Sequence, residues 1–184
     1  MGFADQAIAP NPMHENWRSH SRRYIMNEPH SGLPPILFLD IDGVLLRRRH
    51  SGMFDGFEIA PHCLEFLEWA TIRFRCRWLS SRCRQGFLDG SHRAFRQAGG
   101  SLSDPRWQVL HLIEPAMWSA EKTEAIDPVS DFWWLDDDPS GHDRDWLRTN
   151  GRQDRLIVIS VDRDPDALLH ARVRLLRVMS LVMV

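Results

Sequence analysis

The chain has 184 residues, of which 43% are hydrophobic and 26% charged. That is the composition of a folded domain with its own core, and it excludes a chain disordered throughout. The formal net charge of -2 offers no global basic excess for a polyanion, and no apolar run approaches a bilayer span, so a membrane partner is excluded and a nucleic-acid partner is left open.

Residues 1–34 hold Pro10, Pro12, Pro29 and Pro34 and little periodicity; they read as a flexible N-terminal arm ahead of a single domain over 35–184. Ile36-Leu37-Phe38-Leu39 is short and continuously apolar, as a buried strand of a parallel sheet should be. Residues 47–60 read as a loop or small flap carrying Arg47, Arg48, Arg49 and His50. Pro61 opens a helix whose apolar stripe is Cys63, Leu64, Leu67 and Ala70.

Phe74–Leu79 reads as a second strand, ending in Ser80-Ser81. Residues 84–98 read as a helix with Phe87, Leu88 and Phe95 inward, stopped by Gly99-Gly100. Trp107–Ile113 is expected to be a strand and 121–130 a short helix. Phe132–Leu135 is a further strand, followed by Asp138 as N-cap and Pro139 as first residue of a helical turn over 142–149. Leu156–Val161 is the clearest late strand, and Leu169, Val173 and Leu176 fall at helical spacing after Pro165. Val178–Val184 is expected to be a last packed strand or a dimer contact. Trp78, Trp133 and Trp134 are assigned to the core, with Trp69, Trp107, Trp118 and Trp146 peripheral. Alternating strands and helices predict an α/β fold: three layers, α/β/α, around a mostly parallel central sheet.

In an open α/β sheet ligands bind beyond the carboxyl ends of the strands. Two of the predicted strands end in aspartates: Asp40-Ile41-Asp42-Gly43 and Asp136-Asp137-Asp138. Carboxylates gathered in a small space repel, and a hard divalent cation with oxygen ligands, Mg²⁺, relieves the repulsion. One lysine, Lys122, stands among the 23 basic residues, so any chemistry that needs an amine has one candidate. Cys63, Cys76 and Cys83 form no CxxC pair, which argues against a disulfide framework or thiolate zinc site and for a reducing compartment, the cytoplasm. GxxxxGK, GxGxxG and GxSxG are all absent.

These residues resemble the haloacid dehalogenase-like superfamily. Asp40-Ile41-Asp42-Gly43-Val44-Leu45 is similar to its first motif, Ser80 to its second, Lys122 to its third, and Trp133-Trp134-Leu135-Asp136-Asp137 to its fourth. The resemblance implies a Rossmannoid fold and a Mg²⁺-dependent phosphatase acting on a phosphomonoester. It makes Asp40 the nucleophile, which forms an aspartyl-phosphate, and Asp42 the general acid and then base. Ser80 and Lys122 would hold the phosphoryl group, with Ser81 the alternate to Ser80. The metal set implied is Asp40, Asp42 through its backbone carbonyl, Asp136 and Asp137. Arg47 and Arg82 are placed to meet an anionic substrate.

Only 37 residues separate Asp42 from Ser80 and 41 separate Ser80 from Lys122, too few for a large inserted cap. A capless site is expected to admit a small phosphorylated molecule or an exposed phosphate on a macromolecule. The alternative is a catalytically weak domain that binds a phosphorylated ligand or protein partner.

Overall fold

The computed structural model describes residues 33–51, 54–101 and 103–181. The predicted N-terminal arm lies outside the described residues up to position 32, and residues 34–184 form one compact unit. Its centre is a five-stranded sheet in the order β5-β4-β1-β6-β7. The strands are β1 Ile36–Leu39, β4 Arg75–Trp78, β5 Glu114–Pro115, β6 Phe132–Asp136 and β7 Leu156–Val158. Every pairing in this sheet is parallel.

The central strand explains its own composition. Leu37 and Leu39 enter the core on one face of the sheet, and Phe38 enters the core on the other. The neighbouring β6 divides in the same way, with Trp133 and Leu135 against Phe132 and Trp134. A strand buried on both faces has no polar alternation, hence the uninterrupted apolar runs. The larger core is closed by α1 (Cys63–Arg73), α2 (Asp89–Gln97) and α4 (Ala167–Leu181). The smaller is closed by Leu147 of α3 (Gly141–Thr149) and by Ile126. The fold is therefore α/β, a parallel sheet flanked by helices on both faces.

Several expectations are corrected. The loop or small flap expected over 47–60 is a flap and not a loop: an antiparallel hairpin, β2 Leu46–Ser51 with β3 Phe54–Ile59. Pro61 does not lie in the first turn of α1, which starts at Cys63 after His62 with φ 62°. Trp107–Ile113 is not a strand: Pro105–Leu112 is a 3₁₀ segment capped by the Asp104 carboxylate, which accepts from Arg106 N. Trp107, Leu110 and Ile113 are buried at a spacing of three, the period of that helix. Residues 121–130 supply only one 3₁₀ turn, Lys122–Ala125, and β7 stops at Val158.

The helix predicted over 84–98 begins only at Asp89, and Phe87 is exposed. Ser140, not Asp138, caps α3: its Oγ accepts from Asp143 N while Asp143 Oδ2 accepts from Ser140 N. Helix α4 buries Leu168, Ala171 and Leu175 and exposes Leu169, Val173 and Leu176, the reverse of the expected stripe. It runs through Leu181, so the tail is not a strand there, and 182–184 lie outside the described residues. Trp69 and Trp107 are core residues, not peripheral ones. Among the described residues no helix is long and apolar enough to cross a membrane.

Candidate active site

Strand register assembles the site. Leu39 of β1 is level with Trp78 of β4 and Leu135 of β6. One step further, Asp40 N donates to Leu135 O at 3.0 Å and Leu79 N donates to Leu39 O at 2.8 Å. Asp40 and Asp136 thus emerge side by side at the carboxyl edge, with Ser80 at the end of the strand on the other side.

The chain then turns sharply. Leu45 N and Leu46 N both donate to Ile41 O, and Gly43 N donates to Leu46 O. Gly43 has φ 74°, and a Cβ there would sit 2.0 Å from Asp137 Oδ2. The glycine is therefore required twice, for its left-handed backbone and for the room the Asp137 carboxylate takes. One oxygen each from Asp40, Asp136 and Asp137 lies within 4.8 Å of the others.

Lys122 completes this half of the site. Its Nζ donates to Asp40 Oδ2 and to Asp136 Oδ2, each at 2.6 Å. The 3₁₀ turn that presents it is held by Glu124, whose carboxylate accepts from Ser119 N, Ser119 Oγ, Ala120 N and Glu121 N. Those bonds pull the Glu124 carboxyl down to about 2. Asp40 Oδ1 accepts from Ile41 N at 2.7 Å, and Asp136 accepts from Trp134 Nε1 and Asp138 N. Both oxygens of Asp40 and both of Asp136 thus have a donor.

The charge is nevertheless unbalanced, with three carboxylates and one ammonium. Burial works to lower the Lys122 pKa, but Asp40 and Asp136 outweigh it and hold the amine above its usual range. Burial, then the Asp40 charge, pushes Asp136 and Asp137 each up to about 6. Both groups hold their protons chiefly because they are buried, and secondly because they lie beside the Asp40 charge. The donor set is all oxygen and anionic, so these residues fit a hard divalent cation such as Mg²⁺.

The other half of the rim is built differently. The Asp42 carboxylate is not in the acidic group. Arg82 Nε lies 2.8 Å from both of its oxygens, and a second guanidinium nitrogen is 2.8 Å from Oδ1. The guanidinium also lies over the Phe57 ring of β3, 5.0 Å from its centroid. Ser80 Oγ caps the 3₁₀ turn Ser81–Cys83 by accepting from Arg82 N. Gly90 lies against this turn so closely that a Cβ would fall 1.7 Å from Arg82 O.

Of the two serines, Ser80 is buried at the strand end and Ser81 is exposed. Arg47 is paired across the hairpin with Glu58, which also lies 3.7 Å from Arg49 Nε, so the arginines of the flap are partly neutralised within it. Burial, reinforced by Asp40, pushes the nearby Cys83 thiol up to about 12, which leaves it protonated and a poor nucleophile.

The predicted residues Asp40, Lys122, Asp136 and Asp137 are thus brought together, and Asp42 joins Arg82 beside them. Sequence reasoning missed Trp134, Glu124, Phe57 and Gly90. Trp134 had a signal, since positions two apart on a strand share a face. Glu124 stands three residues after Glu121, the spacing of a capping box. No family model matches the chain, and neither a curated protein nor a solved structure matches it.

Proposed function

We propose that the chain is a Mg²⁺-dependent phosphohydrolase of the haloacid dehalogenase-like type, cleaving a phosphomonoester through Asp40. The observation that carries this reading is the double contact of Lys122 Nζ with Asp40 and Asp136. It joins three of the four motif positions, from three separate segments, around one carboxylate at a strand end.

Asp40, Asp136 and Asp137 would hold the metal, which when bound offsets phosphoryl charge and lets an anionic nucleophile approach an anionic group. An Asp40 oxygen attacks phosphorus, the bond from phosphorus to the ester oxygen breaks, and an aspartyl-phosphate forms. Asp42 gives its proton to the departing oxygen. It then takes a proton from water as the water oxygen attacks phosphorus, releasing inorganic phosphate and restoring Asp40. Lys122 supplies fixed positive charge to the equatorial oxygens, and its elevated pKa keeps it cationic through neutral pH. Ser80, buried at the end of β4, is the hydroxyl on the opposite side of Asp40.

Between Asp42 and Ser80 the described chain contains only the hairpin, α1 and β4. An open rim of this kind suits a small phosphomonoester or a phosphate displayed on a larger molecule. A second reading, a domain that binds a phosphorylated ligand with little turnover, is favoured by one observation: Arg82 engages both oxygens of the acid/base candidate.

Phosphate release from a panel of phosphomonoesters, with and without Mg²⁺, decides between them. Metal-dependent release is expected from the native chain, with a loss on the order of 10⁴-fold or more in Asp40→Asn. Equal activity in both proteins rejects the nucleophile, and no release from native protein folded by circular dichroism selects the binding domain.

A further inference from the structure

The Arg82–Asp42 pair is more than a surface ion pair. Its three short nitrogen–oxygen approaches form a fork on a carboxylate, the geometry a guanidinium also uses on phosphate. The fork is held from three sides. Phe57 lies under the guanidinium, Ser80 Oγ accepts from the Arg82 backbone N–H, and Gly90 closes on the Arg82 carbonyl. The pair also belongs to the site: Asp42 stands two residues beyond Asp40, and Arg82 two residues beyond Ser80 at the end of the neighbouring β4. With both oxygens of Asp42 engaged by the guanidinium, neither is free to face a leaving group.

We infer that Arg82 is a phosphate-responsive clamp: in the free protein it holds Asp42, and an arriving phosphoryl group draws the guanidinium to its own oxygens and releases Asp42 as acid/base. The inference rests on the phosphohydrolase reading for the role of Asp42, but the exchange of partners needs only a phosphate ligand. No bond is made or broken in the exchange; one ion pair is replaced by another. Phe57 acts as the platform across which the guanidinium turns, which gives the hairpin a task in the site. Arg82 is in this sense a positioning residue for Asp42 until it meets the ligand.

A double-mutant cycle on ligand affinity tests the clamp. Inorganic phosphate is titrated calorimetrically at fixed Mg²⁺ into the native chain, Asp42→Asn, Arg82→Gln and the double variant, each checked for fold by circular dichroism. Freeing Arg82 from its competing partner removes the cost of release, so Asp42→Asn binds phosphate about tenfold more tightly than the native chain. Arg82→Gln binds about tenfold more weakly, and in its background Asp42→Asn gives no tightening.

Tightening that survives intact in the Arg82→Gln background would mean simple loss of repulsion and would overturn the clamp. So would an Asp42→Asn protein with unchanged affinity, or native protein that binds no phosphate. If Arg82→Gln does not fold, Arg82→Lys replaces it: charge is kept and the fork is lost, and the same loss of coupling is expected. Turnover assays separate this result from the reading beneath it. Turnover that needs Asp40, together with no coupling, removes the clamp and leaves the hydrolase. Coupling without turnover keeps the clamp as a phosphate-sensing device and removes the hydrolase.

Discussion

The two halves of the rim handle charge in opposite ways. Around Asp40, three carboxylates stand beside one half-buried ammonium, and burial with the Asp40 charge makes two of them hold their protons up to about 6. Around Asp42, one carboxylate faces one guanidinium with matched charge and matched shape. The first half carries three carboxylates against one ammonium, a set that fits an added cation. The second is satisfied and must be undone before its carboxylate can work. On the proposed reading, the first end would take a metal and the second an anion.

The sharpest way to break this contrast is to remove the shared ammonium. Lys122→Met leaves Asp40 and Asp136 buried without their cation and is expected to cost about 3 kcal/mol or more in the metal-free protein. Urea unfolding measures it. Saturating Mg²⁺ should recover more stability in this variant than in the native chain, and equal recovery would count against a metal at these carboxylates.

A smaller effect is expected at Gly43. Gly43→Ala adds about 1–2 kcal/mol of left-handed backbone strain and drives a methyl group into Asp137. Mg²⁺ affinity should fall with it, while Gly141→Ala, where a Cβ meets nothing, leaves that affinity unchanged.

Burial of Asp137, together with the Asp40 charge, also fixes a pH window. Asp137 has a folded pKa near 6, above the usual carboxyl value of 3.8. A raised pKa favours the folded state where the group is protonated, so this contribution is present below about 4 and lost as pH rises through 6. Without metal, Asp137→Asn should therefore melt higher than native protein at pH 7.5, and the gap should close on acidification to pH 4. A gap that does not change with pH would deny the raised pKa.

Glu124 has the opposite sign and the smallest expected effect. Its pKa lies near 2, below 4.5, so its contribution is present above about 4.5 and lost as pH falls through 2. The difference in melting temperature between native protein and Glu124→Gln should vanish over that range.

Much of the fold was legible because its central strands are buried on both faces. Apolar runs of four residues ending in aspartate, as at Leu39-Asp40 and Leu135-Asp136, fit little except a central parallel strand. Misreadings came where two periods fit the same letters. Trp107-Val109-Leu110-Ile113 supports alternation or a spacing of three, and only the Asp104-Pro105 start favours the second. In α4 two apolar stripes run side by side, and which one faces the sheet depends on where the chain enters the helix. In the hairpin, arginines on successive positions hid the strand, because the apolar side of β2 is supplied by Leu46 alone before them.

The site was legible in part for a different reason. Asp40 and Lys122 stood out by type and spacing, since a lone lysine and an Asp-x-Asp-Gly strand end need no partner to be noticed. The Arg82–Asp42 pair joins positions 40 residues apart, and nothing in either local sequence favours that partner over the other arginines. Pairings that depend on the closing of the fold are written in no single stretch of the chain.

The placing of the single lysine has a practical consequence. Amine-acylating reagents find one lysine in this sequence, and its side chain is 16% exposed and held between two carboxylates. Labelling of that amine becomes a clock for the site: slow where Asp40 and Asp136 grip it, fast wherever a variant, an acid pH or a chaotrope loosens the grip. The mass increment on the peptide that carries Lys122 then reads out the state of the site, since no other side chain of the sequence ends in an amine and the 22 arginines are not touched by the reagent.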